Sequence, residues 1–291
     1  IFENIGSILF GVNYFTHFSA EEIFYYYQQF DNKFGLPIQN EWKPFPQVKE
    51  PKSKLKIGYV SPDFKNHSME SFLKPVLENH NREEFEIYAF AQLSQEDDTT
   101  LEYKSLVDQW VPTQGFTDLE MVKKIRELQI DILVDLAGHT KGNRLGVFAY
   151  KPTPISCSWW IGSGYTTGLS AIDYFLTDDV MAPPGSEHLF SETLCPLPSH
   201  AAIWQPDLQK MGSVNRLPAL TKGYITFGTL TRAIRINDNV IKAWSEILKR
   251  VSNSKLIINS RTFENISACK SLIDRFQKEN ISCNRLIIGY N

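Results

Sequence analysis

Four stretches of the chain carry side chains capable of chemistry. The first is SPDFKNHS (61–68), directly behind a short β run, where an open α/β sheet puts its ligand crevice. A histidine at that place, His67, can act as a general base or hydrogen-bond a charged ligand. The plainer alternative is a capping loop in which Asp63 and Asn66 satisfy turn amides. The second is DLAGHTKGNR (135–144), again behind a β run. Gly138 and Gly142 permit close backbone approach there, and His139, Thr140 and Arg144 are polar groups at the same sheet edge as His67. Two histidine-bearing loops at one edge point to a crevice; the alternative for each is an ordinary strand-to-helix turn. The third is WWIGSGYTTG (159–168), where Gly162, Gly164 and Gly168 with Thr166 and Thr167 could cradle a polar ligand through amides and hydroxyls. It is neither a Walker loop nor GxGxxG. The fourth is FGTLTRAIRI (227–236), whose Arg232 and Arg235 suit bidentate binding of phosphate oxygens, or are two solvated arginines.

The elements that must position these loops are strands alternating with amphipathic helices. KLKIGYV (54–60), FEIYAFA (85–91) and IDILVDL (130–136) read as strands, with more near 154–160 and 171–176. A capping box at Thr117 and Glu120 opens a helix whose Leu119, Val122, Ile125 and Leu128 recur every three residues. This pattern predicts a parallel sheet with helices on both faces. Ahead of it, residues 1–50 read as a helical segment and linker. Ser19 and Glu22 form another capping box, followed by Ile23, Phe24, Tyr27, Phe30 and Phe34 at helical spacing. Tyr25, Tyr26 and Tyr27 read as packing groups. Prolines 37, 44, 46 and 51 exclude helix there and mark a connector. The loop-rich stretch 196–222 places a boundary near 215–222. Beyond it comes a βαβαβ pattern: 224–228, a helical face from Val240 to Val251, 255–259, 263–279 and 285–289. The expected domains are 1–50, 51–220 and 221–291, the last about half of a nucleotide-binding unit.

Composition narrows the function. At 291 residues the chain holds about two domains. Its 42% apolar and 22% charged residues exclude a disordered or fibrous chain. A net charge of −3 weighs against a nucleic-acid partner. No apolar run approaches the ~18 residues a membrane span needs, and there is no signal-peptide pattern. The first residue is Ile1, so the expectation is a processed product or a piece of something longer. The four cysteines form no CxxC pair, a usage suited to a reducing cytoplasm. There is no HExxH, no GxSxG and no carboxylate pair at a defensible spacing, and metal use is not supported. His17, His80, His188 and His200 read as surface or structural.

Taken together, KLKIGYVSPDFKNHS (54–68), IDILVDLAGHTKGNRLGVFAYKPTPI (130–155), WIGSGYTTGLSAIDYFLTDDVMAPPGSEHLFSE (160–192) and GYITFGTLTRAIRINDNVI (223–241) resemble the O-GlcNAc transferase family of glycosyltransferases, which includes plant SPINDLY and bacterial-type, repeat-containing members. The segment 7–34 resembles the stretch joining that family's helical repeats (TPR-type) to its catalytic part. The resemblance implies a GT-B pair of Rossmann-like domains. It implies inverting, metal-independent transfer of a sugar, GlcNAc from UDP-GlcNAc above all, to Ser or Thr of proteins, with no cofactor beyond the nucleotide-sugar substrate. His67 falls on the family's histidine near the reacting sugar. Arg235, where the family has a lysine, falls on the group that neutralises the diphosphate, with Arg232 beside it. His139, Gly162, Tyr165, Thr166 and Thr167 would line the donor site. The family binds uracil and ribose mainly with the second half of its C-terminal domain. The resemblance therefore implies an incomplete donor site and no turnover by these residues alone. GDP-fucose or UDP-glucose as donor, and a non-catalytic module that holds a peptide or partner, are the alternatives. No nucleic-acid or membrane partner is expected.

Overall fold

The computed structural model describes residues 2–45, 53–159, 161, 164–206 and 211–290. The chain divides into two compact units, Ile1–Leu208 and Gln209–Asn291. In the first, helices α1 (Phe2–Val12) and α2 (Ala20–Phe30) precede strand β1 (Leu55–Ser61), α3 (Glu70–Glu78), β2 (Phe85–Ala91), α4 (Asp98–Ser105), β3 (Gln109–Pro112) and α5 (Asp118–Leu128). Then follow β4 (Ile132–Asp135), α6 (Leu145–Ala149), β5 (Ile155–Trp159), β6 (Tyr174–Thr177) and β7 (Thr193–Pro196). These seven strands make one parallel sheet in the order β3-β2-β1-β4-β5-β6-β7.

Strand alternation builds a core on each face of this sheet. Val60, Tyr88, Phe90 and Leu133 point to one face, where Met121 and Ile125 of α5, Val147 and Phe148 of α6, and Leu9, Tyr27 and Phe30 of α1 and α2 complete the packing. Ile57, Tyr59, Ile87, Ala89 and Val134 point the other way, against Leu73 and Leu77 of α3 and Tyr103 of α4. Gly58 sits where a side chain would come within 2.7 Å of the Phe90 ring.

Three local features differ from the sequence expectation. The helical stripe does not run unbroken to Phe34: α2 ends at Phe30 and a π-turn, Asp31–Gly35, follows. The proline-bearing connector begins with a 3-10 helix, Leu36–Glu41, with its proline in the first turn, where no amide bond is lost. The expected connector at 46–52 lies outside the described residues. The third difference is that α3, α4, β3, α6, β7 and, in the second unit, a short helix Pro218–Lys222 join the elements read from the pattern; α3, for one, opens without a side-chain cap and carries Pro75 inside it.

The second unit contains α7 (Pro218–Lys222), β8 (Ile225–Thr229), α8 (Asp238–Arg250), β9 (Ser254–Asn259), α9 (Ile266–Lys278) and β10 (Leu286–Gly289). Its parallel sheet has the order β10-β9-β8. Leu256 and Ile258 pack under Ile241 and Leu248 of α8 and Leu272 and Phe276 of α9. Arg285 ties the unit together: its guanidinium donates to the carbonyls of Leu248 (2.9 Å) and Val251 (3.0 Å) at the end of α8, and to the carbonyl and hydroxyl of Ser254 on β9. No helix among the described residues is long and apolar enough to cross a membrane.

Candidate active site

In the large sheet the order of strand addition reverses between β1 and β4, and an open α/β sheet forms its ligand crevice outside the carboxyl ends of such a pair. The loops that follow these strands are the two histidine-bearing stretches. They touch: Gly142, at φ +81°, leaves room where a side chain would lie 2.8 Å from Pro62. The first loop is pinned by its own polar groups. Ser61 Oγ accepts the Asp63 amide at 2.9 Å, and Thr100 Oγ1 donates to the Phe64 carbonyl at 2.9 Å. Asp97 caps α4 by accepting the Thr100 amide, and its other oxygen accepts the Asn66 amide at 2.9 Å. Held this way, His67 keeps 45% of its side chain exposed, with Nδ1 3.9 Å from Asp63 Oδ2. Nδ1 accepts the Met69 amide at 3.3 Å, so in the neutral ring the proton is on Nε2, a donor. Burial pushes the Asp63 carboxyl up, and His67 and Lys65 draw it back.

The second loop is turned inward. His139 is fully buried, and its Nε2–H donates to the Thr167 carbonyl at 2.7 Å. The rings of Tyr27 and Phe30 stand edge-on, each with its centroid 5.2 Å away. Burial lowers its pKa to about 4, so the ring is neutral at pH 7. Asp135, buried at the end of β4, accepts the amides of Ala137 (3.1 Å) and Gly138 (2.9 Å) and the Ser158 hydroxyl (2.9 Å). Arg144 donates to Asp118 Oδ1 at 3.1 Å and to Gln92 Oε1 at 2.8 Å, tying the loop ends behind β2 and β4 to the first turn of α5.

Thr166 and Thr167 are also fully buried. Both hydroxyls donate to the buried Glu192 carboxylate, Thr166 at 2.6 Å, and the Thr167 amide donates to it at 2.8 Å. Burial pushes the Glu192 carboxyl up, opposed by these bonds. Tyr165 stacks edge-on against Tyr27 at 5.3 Å. Gly168, at φ +77°, packs so closely under the Tyr27 carbonyl that a side chain would lie 2.8 Å from it. The hydroxyls of Thr166 and Thr167 and Nε2 of His139 are thus engaged inside the unit, where all three residues are fully buried, and His139 Nδ1 has no hydrogen-bond partner among the described residues. Gly162 lies outside the described residues.

In the second unit Arg232 and Arg235 are exposed at the 3-10 turn Ala233–Arg235 between β8 and α8. The turn closes by a bond from the Arg235 amide to the Arg232 carbonyl at 3.0 Å. Among the described residues no group of three or more His, Cys, Asp or Glu could hold a metal ion. Sequence reasoning missed Asp97 and Glu192, which hold the first and third loops. The capping pattern at Asp97 was the only available signal for either.

Residues 38–211 match glycosyl transferase family 41. The "Probable UDP-N-acetylglucosamine--peptide N-acetylglucosaminyltransferase SPINDLY" of Petunia hybrida is 30% identical over 272 residues, 92% of this chain and 28% of that protein. The enzyme named SEC from Arabidopsis thaliana is 34% identical over 236 residues, 77% of this chain and 24% of that protein. The solved structure of a mutant O-GlcNAc transferase from Thermobaculum terrenum superposes with a TM-score of 0.88 at 26% identity, covering 98% of this chain and 54% of that one. The α/β architecture, with its large and small parallel sheets, matches the GT-B fold of that transferase. The chain spans under a third of the length of the plant relatives. With the family match covering more than half of its residues, the chain belongs to glycosyl transferase family 41.

Proposed function

We propose that these residues serve an inverting glycosyltransferase that moves GlcNAc from UDP-GlcNAc to Ser or Thr of protein substrates in a reducing compartment. The observation that carries this reading is the exposed His67, held by Asp97 and Met69 at the switch point of the large sheet, in a chain of this family. His67 acts as a positioning group, donating from Nε2 to an oxygen of the sugar or the acceptor. Arg235, helped by Arg232, stabilises the departing diphosphate by charge, so the proposed chemistry requires no metal. Gly164 and Tyr165 face the sugar, while the buried His139, Thr166 and Thr167 shape their loop from below.

The test is sugar transfer to a Ser/Thr peptide by the full-length protein, with UDP-GlcNAc, UDP-glucose and GDP-fucose compared. UDP-GlcNAc is the expected donor, and EDTA leaves the rate unchanged. Arg235→Ala lowers turnover by roughly tenfold to a thousandfold, the scale of a lost transition-state charge contact. A change under about twofold removes Arg235 from the mechanism. Transfer from none of the three donors overturns the reading.

A further inference from the structure

The first unit holds a second concave site, of about 540 Å³, away from the His67 loop. Its wall is shared between α2 and the π-turn, which supply Phe24, Gln28 and Asp31, and the later chain, which supplies Gly168, Ser170, His188 and Phe190. Asp31 is buried, with 8% of its surface exposed. Its carboxyl is hydrogen-bonded by the hydroxyl and amide of Ser170, yet Oδ1 has no hydrogen-bond partner. The fold makes room for this group: a side chain at Gly35 would lie 2.0 Å from Oδ1. The π-turn that starts at Asp31 is itself a geometry that gathers at functional positions.

A buried carboxylate without a counter-ion is costly, and burial pushes the Asp31 carboxyl up accordingly. A cation entering the cavity would offset that cost. No lysine or arginine is among the described residues that line it. His188, at its rim, lies 3.9 Å from Glu21 Oε1, which adds a second acidic group nearby. Phe24 and Phe190 line it with aromatic rings, and Gln28 supplies an amide able to bond a peptide backbone. One carboxyl, two rings and adjacent acceptors suit a planar guanidinium, which forms bonds at its edge and stacks on its face. The volume exceeds one side chain and accommodates flanking backbone as well.

We propose that this cavity binds an arginine side chain of a polypeptide, with Asp31 as its charge partner. The cavity shares Gly168 with the third loop but contains none of His67, His139, Arg232 and Arg235, and the proposal does not depend on the sugar-transfer reading.

The test is calorimetric titration of the protein with acetyl-Gly-Arg-Gly-amide and with the same peptide carrying Gln for Arg. The Arg peptide binds in the millimolar range or tighter, and the Gln peptide at least about tenfold more weakly. Asp31→Asn weakens Arg-peptide binding by at least about tenfold, while its thermal midpoint stays at or above that of the parent, because a neutral amide is less costly to bury. Should that variant fail to fold, Gln28→Lys decides. Gln28 is exposed, and a lysine three residues before Asp31 supplies a tethered cation that abolishes peptide binding. Equal affinity for the Arg and Gln peptides, no binding of either, or Arg-peptide binding to Gln28→Lys as tight as to the parent would each overturn the proposal.

Discussion

His139 is kept neutral by its surroundings, and that makes it a stability group with a definite pH range. Unfolded, its imidazole titrates near 6.5; folded, at about 4. The native state therefore binds fewer protons in between, so the contribution is complete above about 6.5 and is lost as pH falls toward 4. Glu192 and Asp135 act in the opposite sense: their carboxyls are pushed up by burial, so they favour the folded state more at low pH. His139→Gln keeps a donor for the Thr167 carbonyl and cannot be protonated. The stability gap between parent and variant should narrow by about 2 kcal/mol from pH 7 to pH 5, read by urea unfolding. A gap that does not change with pH rejects this account. His67 was legible because its place behind a strand needs only local sequence. The inward turn of His139, Thr166 and Thr167 was not, because Tyr27, Phe30 and Glu192, which enclose them, lie far away in the chain.

Elements with strong local chemistry were read correctly, and those resting on tertiary contacts were missed. The capping boxes at Ser19 and Thr117 open helices as their side chains require. β3 has four residues, one of them buried and the last a proline, and α4 carries no apolar stripe, so neither announces itself. Two tests belong at this scale. Arg285→Ala should cost the second unit about 2 kcal/mol, read by its urea midpoint, since it leaves the carbonyls ending α8 without a cation or donor. Glu192→Ala strands the two threonine hydroxyls and the Thr167 amide. It should cost about 3 kcal/mol and speed hydrogen exchange at Gly168 and Leu169, whose amides rest on those hydroxyls. Unchanged exchange there would show that the loop does not depend on Glu192.

At the scale of the molecule, α1 and α2 are part of the first unit's core. Leu9, Tyr27 and Phe30 are all buried against the sheet. A chain beginning at β1 would lose roughly 5 kcal/mol of apolar burial and expose the His139 ring, and should lack a cooperative thermal transition. A sharp melt at the parent's temperature would separate the helices from the core. The parallel order of the large sheet has a further consequence, in time. At the foot of β1 the Lys56 amide donates to Asp131, just before β4 and 75 residues further along the chain. Such a junction closes only after a long stretch of chain has been brought round, which slows collapse to the native state and leaves strands unpaired meanwhile. The loops carrying His67 and Gly142 meet only once that junction has closed. A freshly made chain therefore completes the crevice late in its folding, and low growth temperature or a chaperone should raise the folded fraction without altering the finished molecule.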